Sequence, residues 1–525
     1  MRELLINRII KAKDRIFMED DYRAYTYRQL AFEILNLSTM IDTLKIPNPR
    51  ICLSASNSFE WVVVFLTALI KSIPVYLVPQ SFTAEHKYTI TTRYNLNLLF
   101  VSDSDEQKGH MMSTNNFTCA LIRMSTVEGY VLDYVNPFRI KNIEKKRNKW
   151  VRLNAIDHRE IKNGAILLDL ISKNINHTYK NCNLWLFTSG VNSHPELKMI
   201  FPETMRRTVR GMSTKLEELN LKKCSFSIET DLNWFVLQTL LPIIVLEGTV
   251  VLTRHQANGE KIGAIFANTN WFEEMWDYVA IGQTEKQRRQ FEKWLLTKWI
   301  NTIRLKREFK VEFGGTDKIF IILNDETHFK LKKNLQRIGY KVISTYGTTK
   351  FQLISIDEKL IQGVNIKLDA HKPGPWPAEL QVTEKFGGLD QFRTTGDMAI
   401  MGPNSELQIL GRKDDRIYSA NGSMYNPNKI ERIVRSDEFI KQALLIQYDN
   451  KIVLLIRFKT FIMDALAKTS ADVVKMAKEI KDNINSYLPE EEQIDGVTSY
   501  PKPLDVNEQG KIIRHFYNDT PVDSA

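Results

Sequence analysis

Two kinds of apolar pattern alternate along the chain. Short apolar runs are predicted to be buried strands at 50–54, 75–78, 248–253 and 318–324. Longer segments with apolar residues at helical spacing are predicted to be helices at 26–44 and 59–71. Strand-like runs that alternate with helical segments are typical of largely parallel sheets covered by helices. The pattern therefore predicts an α/β fold with layered sheets and helices.

The pattern changes near the C-terminus. Two strand-like runs, 442–447 and 452–458, flank one amphipathic helical segment at about 471–487, which predicts a small α+β module. At 525 residues the chain is too long for one compact core. We therefore expect a large N-terminal domain over 1–411 and a small C-terminal domain over 412–525, divided at the polar stretch GRKDD.

Composition and charge narrow the class of protein. The hydrophobic fraction of 43% and the charged fraction of 26% are those of a folded globular protein, which excludes a disordered or fibrous chain. The net charge of +10 is spread along the sequence, with its densest cluster at 145–149. No nucleic-acid recognition motif accompanies this charge, so a solvated basic surface is favoured and no nucleic-acid partner is expected. Such a surface would attract an acidic partner or an anionic substrate such as a nucleotide.

Cysteine usage and the apolar segments predict the compartment. The four cysteines have no spacing that suggests a metal site or a redox pair, which favours a reduced location. The strongest apolar run, 61–70, is too short for a membrane-spanning helix, which needs about 20 residues. No signal-peptide apolar core follows the amphipathic N-terminus. We therefore expect a cytoplasmic protein with no membrane span.

The common nucleotide-binding signatures are absent, but one loop has suitable chemistry. The chain has no GxGxxG, and its Gly-Lys pair at 510–511 lacks the upstream glycine of a P-loop. The segment TSG at 188–190 follows the apolar run 184–187 and offers hydroxyls and backbone N–H groups to anionic oxygens. An ordinary turn is the competing interpretation of this segment.

Four later positions carry groups that suit a nucleotide. YGTT at 346–349 combines a ring that can stack with hydroxyls that can reach a phosphate. Asp397 is predicted to lie on a loop before an apolar strand, where its carboxylate can accept hydrogen bonds from a ribose diol. Arg412 ends a predicted strand and can join the same diol, and Lys511 lies on a glycine-containing turn. A turn, a helix cap or a solvated lysine is the alternative for each.

The order of these motifs matches one enzyme superfamily. TSG, YGTT, TTGD, ILGRKDD and a terminal GKI follow one another, after AYTYRQL at 24–30 and SNSFEWVVVFLTALIKSIPVYLVP at 56–79. In this order the chain resembles the adenylate-forming superfamily, which holds acyl-CoA synthetases, adenylation domains of peptide synthetases and luciferases. The resemblance covers nearly the whole chain.

The resemblance implies a two-step ligase that uses ATP. A small-molecule carboxylate attacks the α-phosphate, giving an acyl-adenylate and pyrophosphate. The thiol of coenzyme A, or of the pantetheine arm of an acyl or peptidyl carrier protein, then displaces AMP. The implied nucleotide-binding residues are Thr188, Ser189, Gly190, Tyr346 at the adenine, Gly347, Thr348, Asp397 at the ribose and Arg412 beside it. The implied catalytic residues are Thr349, at the α-phosphate, and Lys511, which stabilises the developing charge.

The resemblance also implies a mobile C-terminal domain. Its hinge falls near 412–415, at Asp414, and its rotation separates the two half-reactions. Closure brings Lys511 into the site for adenylation. Rotation removes Lys511 and opens a thiol channel that Gly422 would line.

The sequence departs from the superfamily pattern where phosphate and metal are expected. Ser193 and Glu196 replace a glycine and a lysine of the phosphate loop, and an acidic side chain there would repel phosphate. Lys198 is a candidate substitute for the lost lysine. Lys350 replaces the glutamate that helps to hold the Mg²⁺ that accompanies ATP, so the metal ligands are unknown. The only candidates for a carboxylate-pocket landmark are Asp231, Asn233 and Trp234.

The sequence leaves two main functions open. The first is an active ligase that makes an acyl thioester, because the adenosine positions and the lysine are present. The second is a non-catalytic or altered member that keeps AMP binding and acts as a partner-binding or scaffold protein, because the loop lysine and the metal carboxylate are both lost. An unrelated α/β enzyme or a nucleic-acid binder is the remaining alternative.

Overall fold

A computed structural model gives the structure of most of the chain. It describes residues 1–21, 23–102, 120–125, 129–135, 184–188, 196–252, 262–281, 298–313, 315, 317–324, 329–369, 377–386, 389–418, 424–435, 440–459, 470–500, 502–506, 512 and 514–517. None of the helices within these ranges has the length and apolar character to cross a membrane.

The helices begin and end at recognisable local signals. They are α1 Arg2–Lys11, α2 Tyr27–Thr43, α3 Phe59–Lys71, α4 Ala84–Arg93, α5 Pro202–Glu218, α6 Leu232–Phe235, α7 Leu240–Val245, α8 Thr269–Ile281, α9 Lys298–Phe313, α10 Phe329–Arg337, α11 Pro427–Arg435 and α12 Ser470–Asn485. A capping box formed by Thr26 and Gln29 starts α2. The Ser58 hydroxyl accepts the Trp61 amide to start α3, which ends at Ser72 in the left-handed region.

Most strands are short, as the apolar runs predict, whereas the strand Leu389–Met401 extends over 13 residues. They are β1 Ile16–Glu19, β2 Ala24–Thr26, β3 Ile51–Ser54, β4 Val75–Leu77, β5 Leu98–Ser102, β6 Ala120–Ser125, β7 Gly129–Val135, β8 Leu184–Phe187, β9 Leu197–Ile200, β10 Ser225–Ile228, β11 Thr249–Val251, β12 Ile262–Asn268, β13 Ile319–Leu323, β14 Lys341–Thr348, β15 Gln352–Ile356, β16 Lys359–Leu360, β17 Ile366–Asp369, β18 Ala378–Phe386, β19 Leu389–Met401, β20 Leu407–Arg412, β21 Ile417–Tyr418, β22 Met424–Tyr425, β23 Ile440–Tyr448, β24 Lys451–Phe458 and β25 Gly496–Ser499.

Two large, largely parallel sheets share one core. A nine-stranded sheet has the order β16-β15-β14-β13-β12-β10-β11-β1-β2, and a seven-stranded sheet has the order β7-β6-β5-β3-β4-β8-β9. Every residue of α3 is buried, and one hydrophobic cluster contains side chains from both sheets and from α3. Burial on all sides explains why α3 is apolar around its whole circumference rather than along one stripe.

A four-stranded antiparallel sheet, ordered β17-β18-β19-β20, follows the large sheets along the chain. The register between β18 and β19 shifts between Glu379 and Gln381. The shift leaves Thr395, Gly396 and Asp397 opposite Leu380, and the Thr395 hydroxyl donates to the Leu380 carbonyl at 2.9 Å. Such a bulge redirects a side chain without ending the strand.

The C-terminal strands have hydrophobic clusters of their own. The sheet β23-β24-β25 packs with α11 and α12 around Ile430, Ile456 and Ile484. Arg514 forms a bidentate ion pair with the buried Glu431, at 2.8 and 3.1 Å. An arginine fork on a carboxylate fixes geometry as well as charge, so this pair fastens the C-terminal segment to α11.

The predicted α/β fold class is confirmed by these sheets. The predicted helix 59–71 coincides with α3, and the predicted strands match β3, β4, β11 and β13 to within two residues at each end. The predicted C-terminal strands and helix are β23, β24 and α12. The division into domains 1–411 and 412–525 stays a prediction.

Candidate functional site

Tyr346 lies near the end of β14, where the strand turns into β15. A Cβ at Gly347 would meet the carbonyl oxygen of Gln352 at 2.0 Å, so only glycine fits between the two backbones. The Thr348 hydroxyl accepts the Phe351 amide at 3.2 Å and closes the turn. These local contacts fix the position from which the tyrosine side chain extends.

Two side chains from other strands, Tyr346 and Arg412, meet at Asp397. The Tyr346 hydroxyl donates to one carboxylate oxygen at 2.5 Å, and the Arg412 guanidinium approaches the other at 3.4 Å. Asp397 is only 7% exposed. We call Tyr346, Asp397 and Arg412 the Asp397 network. The structure thus brings together three of the residues that the motifs predicted for one site.

The predicted loop position of Asp397 is wrong. Asp397 lies inside β19 and pairs directly with Arg412 of β20. Gly396 makes this possible, because its φ of +80° is unfavourable for other residues and a Cβ there would meet an Arg412 nitrogen at 2.8 Å. The Thr395 hydroxyl accepts the Asp397 amide at 3.0 Å and its carbonyl accepts Arg412 at 3.1 Å. Thr395 is a supporting residue that the sequence analysis missed, although TTGD contains it.

The Asp397 network suits a ligand that carries hydroxyl groups beside an aromatic ring. A carboxylate accepts hydrogen bonds from hydroxyl groups, as Asp397 does from Tyr346. A vicinal diol carries hydroxyl donors of the same kind, and the aromatic ring of Tyr346 lies beside the carboxylate. The arrangement therefore supports binding of a nucleoside.

Thr188 lies at the end of the hairpin formed by β8 and β9. Its amide donates to the Glu196 carbonyl at 2.7 Å, and its hydroxyl accepts the Glu196 amide at 2.8 Å. The Glu196 carboxylate pairs with Lys198 at 2.5 Å, and the hydrogen bond from this lysine lowers the pKa of Glu196. We call Thr188, Glu196 and Lys198 the Thr188 hairpin. Lys198, the candidate phosphate ligand, therefore neutralises the charge of Glu196 within this hairpin.

Two basic side chains, Lys350 and Arg207, lie at the turn after β14. The Lys350 ammonium lies 5.1 Å from the centroid of the Phe351 ring. Arg207, from α5, donates to the Phe351 carbonyl at 3.0 Å. The Thr349 carbonyl is held by the Gln352 side-chain amide at 2.6 Å. Arg207 is distant in sequence and carries no local signal, so sequence reasoning did not find it.

Four predicted site residues lie outside the described residues. They are Ser189, Gly190, Gly422 and Lys511. On either side of 507–511, Val506 and Ile512 form an antiparallel bridge. Arg514, just beyond, is held by Glu431.

The predicted hinge residue Asp414 is exposed and lies next to the Asp397 network. Its carboxylate is 3.6 Å from an Arg412 nitrogen. The neighbouring Lys413 pairs with Glu379 at 2.7 Å, and Asp415 accepts a hydrogen bond from Asn428 at 3.3 Å. The charged segment after β20 is therefore tied to strands on one side and to α11 on the other.

The candidate carboxylate landmarks lie in a buried polar segment after β10. Asp231 accepts the Asn233 amide at 2.8 Å and caps α6, and burial raises its pKa. Asn233 accepts the Trp61 indole N–H at 3.3 Å. The Asn57 side chain donates to the Thr230 carbonyl and accepts the Leu232 amide, on either side of Asp231. These contacts explain the polar residues as a cap and its supports.

The turn after β14, where Lys350 lies, does not fit a protein-held Mg²⁺. No group of three or more His, Cys, Asp or Glu side chains that could hold a metal occurs in the part of the chain that the structure describes. Mg²⁺ takes oxygen ligands, commonly one or two carboxylates with phosphates. The ammonium of Lys350 cannot serve as such a ligand, and Asp397 already interacts with Tyr346 and Arg412.

Comparisons with solved structures show the fold. An anthranilate CoA ligase in complex with anthranoyl-AMP has a TM-score of 0.72 at 12% identity, over 98% of this chain and 95% of that one. ATP-bound MatB from Rhodopseudomonas palustris has a TM-score of 0.70 at 11% identity, over 99% of both chains. O-succinylbenzoate coenzyme A synthetase from Bacillus subtilis, in complex with AMP, has a TM-score of 0.67 at 12% identity, again over 99% of both.

Comparisons of sequence add nothing to this result. No protein-family model matches the chain, and no curated protein matches it. The structural similarity extends over almost the full length of both partners in each comparison. The chain therefore has the fold of the adenylate-forming CoA ligases.

Proposed function

We propose that this chain is an ATP-dependent acid–thiol ligase. The observation that carries the proposal is the Asp397 network, in which a tyrosine, a carboxylate and an arginine from three separate strands converge. This arrangement supports a site for the ribose and adenine of ATP, on a fold whose solved examples include ATP-bound and AMP-bound proteins.

The proposed reaction has two displacement steps. A carboxylate oxygen attacks the α-phosphorus of ATP and pyrophosphate leaves, which gives an acyl-adenylate. A thiolate then attacks the acyl carbon and AMP leaves. In this scheme Asp397 and Arg412 hold the ribose, and Thr349 donates to the α-phosphate. Lys511 stabilises the negative charge that develops in the first transition state.

The remaining parts of the proposal concern the C-terminal region. Residues 412–525 would form the mobile domain, with Asp414 at its hinge and Gly422 beside the thiol. The thiol would come from coenzyme A or from the pantetheine arm of a carrier protein. The scarcity of cysteine supports a reducing compartment, the cytoplasm, for this chemistry.

A second candidate function is nucleotide binding without turnover. The observation that favours it is the pairing of Glu196 with Lys198, which leaves a neutralised pair where a phosphate-binding loop is expected. Lys350 stands where the superfamily has a glutamate that helps to hold Mg²⁺, and this replacement supports the same alternative. In this case the chain would bind AMP and act through a partner.

One experiment separates the two candidates. The protein is incubated with ATP, magnesium, hydroxylamine and a panel of aryl and fatty carboxylates, and hydroxamate is measured together with AMP binding. Hydroxamate formation that disappears in Lys511→Ala, while AMP binding persists, supports the ligase. AMP binding without any hydroxamate across the panel supports the non-catalytic alternative. Absence of AMP binding contradicts both.

A further inference from the structure

Two carboxylates at the candidate nucleotide site, Asp397 and Glu196, interact with cations of the chain itself. Asp397 accepts the Tyr346 hydroxyl at 2.5 Å and faces Arg412 at 3.4 Å. Glu196 pairs with Lys198 at 2.5 Å. Bringing a divalent cation to either carboxylate places it beside Arg412 or Lys198, which adds like-charge repulsion.

Basic side chains, rather than carboxylates, lie at the turn that follows Tyr346. Lys350 is part-exposed, with its ammonium 5.1 Å from the Phe351 ring centroid. Arg207 is fastened to the same residue through the Phe351 carbonyl at 3.0 Å. The Thr348 hydroxyl holds the Phe351 amide at 3.2 Å, so the turn that carries Lys350 is fixed by bonds on both sides of Phe351. These two bonds fix the backbone of Phe351, next to the residue from which the Lys350 side chain extends.

Ammonium and guanidinium groups bind phosphate oxygens directly through charge-assisted hydrogen bonds. Each also supplies the positive charge that a metal would otherwise bring to a polyphosphate. A lysine at this turn can therefore bind a phosphate directly. Its positive charge also disfavours a metal ion at the same place.

We propose that this site binds the phosphates of adenine nucleotides through Lys350, without a divalent cation held by the protein. The proposal rests on the proposed nucleotide site. It assigns Lys350 a role in binding the β- and γ-phosphates, which ATP has and AMP lacks. Affinity for ATP should therefore be nearly independent of Mg²⁺ and should depend on Lys350 more than affinity for AMP does.

The test measures binding rather than turnover. Dissociation constants of ATP and AMP are determined by titration calorimetry in EDTA and in excess MgCl₂, for the intact chain and for Lys350→Glu and Lys350→Gln. Lys359→Glu is the matched control, because it makes the same charge change at an exposed position of β16, in the same sheet as β14. Near-ultraviolet circular dichroism checks that each variant is folded.

The expected result has three parts. The intact chain binds ATP in EDTA with an affinity within about twofold of that in MgCl₂. Lys350→Glu weakens ATP binding in EDTA about tenfold or more and AMP binding less, and MgCl₂ partly restores ATP binding. Lys350→Gln gives an intermediate loss, and Lys359→Glu changes neither affinity by more than about twofold.

Two results would overturn the proposal, and they have different meanings. If EDTA weakens ATP binding to the intact chain more than about tenfold while AMP still binds, the metal-free site is wrong and the proposed nucleotide site stands. If neither nucleotide binds the intact chain, the proposed function is wrong as well. The measurement on the intact chain decides the matter even if Lys350→Glu does not fold.

Discussion

Asp397 and Glu196 are both carboxylates close to positions predicted to bind a nucleotide, yet their surroundings differ. Asp397 is 7% exposed and interacts with a hydroxyl and a guanidinium from two other strands. The Glu196 side chain is 62% exposed and pairs with one neighbour on its own hairpin. A buried network depends on every member, because unpaired buried polar groups are costly, whereas an exposed ion pair contributes little.

The comparison explains how the chain can keep the fold while its phosphate loop changes. The Asp397 network is part of the strand register, so its residues are constrained by the fold as well as by any ligand. The Thr188 hairpin is held by one backbone bond between Thr188 and Glu196 and by the bond from the Glu196 amide to the Thr188 hydroxyl, and neither bond uses the Glu196 side chain. Substitution of Glu196 therefore changes the charge presented to a ligand without disturbing the sheet.

The largest effect is expected for Asp397→Ala. The variant removes the acceptor for Tyr346, Arg412 and the proposed ribose hydroxyls. Two lost charge-assisted hydrogen bonds of about 1.5 kcal/mol each correspond to about a 100-fold loss of AMP affinity, measured by titration calorimetry. Glu217→Ala, an exposed position on α5, is the control for removal of one acidic charge. An AMP affinity within about threefold of the unsubstituted chain would contradict the ribose role.

A smaller effect is expected for Tyr346→Phe. The change keeps the ring and removes the hydroxyl, which leaves one oxygen of the buried Asp397 without its 2.5 Å partner. The free energy of unfolding should fall by about 1–2 kcal/mol in urea titrations, and AMP affinity should fall about tenfold. Tyr487→Phe is the matched control, because Tyr487 is 71% exposed. Equal effects of the two substitutions would show that the hydroxyl is not part of a buried network.

Much of the fold was predictable because apolar runs identify buried strands and helices wherever they occur. The helix α3 is the clearest case, since thirteen mostly apolar residues with a serine cap leave few alternatives. The convergence at Asp397 was not predictable in the same way. TTGD has the composition of a turn, and it lies in a strand only because β18 and β20 pair with it on both sides.

The charges of the candidate site were only partly predictable. The proximity of Glu196 and Lys198 follows from their spacing, because residues two apart in an extended chain share a face. The position of Arg207 beside the Phe351 carbonyl depends on how α5 packs against β15, which no local pattern records. Long-range packing therefore decides which cations surround the proposed phosphates.

Thr188→Val tests the Thr188 hairpin. Its effect on nucleotide affinity and stability is expected to be intermediate. The substitution removes the hydroxyl that accepts the Glu196 amide at 2.8 Å, so the free energy of unfolding should fall by about 1 kcal/mol. ATP affinity should fall about fivefold and AMP affinity should not change, because the hairpin carries the predicted phosphate loop and AMP lacks the β- and γ-phosphates. Thr188→Ser keeps the hydroxyl and should restore both values. A loss of AMP affinity as large as that of Asp397→Ala would remove the distinction between the two regions.

The smallest effect on stability is expected for Glu196→Gln. Lys198 lowers the pKa of Glu196 from its ordinary value of 4.5, so the pair stabilises the fold above that value, and this contribution is lost as the pH falls through the lowered pKa. Because the pair is exposed, the free energy of unfolding at pH 7 should change by less than about 0.5 kcal/mol, and the difference should vanish in acid.

Binding should respond to the same substitution in the opposite direction. Removing the negative charge frees Lys198 for phosphate, so ATP affinity should rise about threefold at low salt and the gain should shrink as salt screens it. AMP affinity should stay the same. A loss of stability above about 1 kcal/mol, or a fall in ATP affinity, would show that Glu196 is fixed by more than its lysine and that the hairpin resembles the Asp397 network after all.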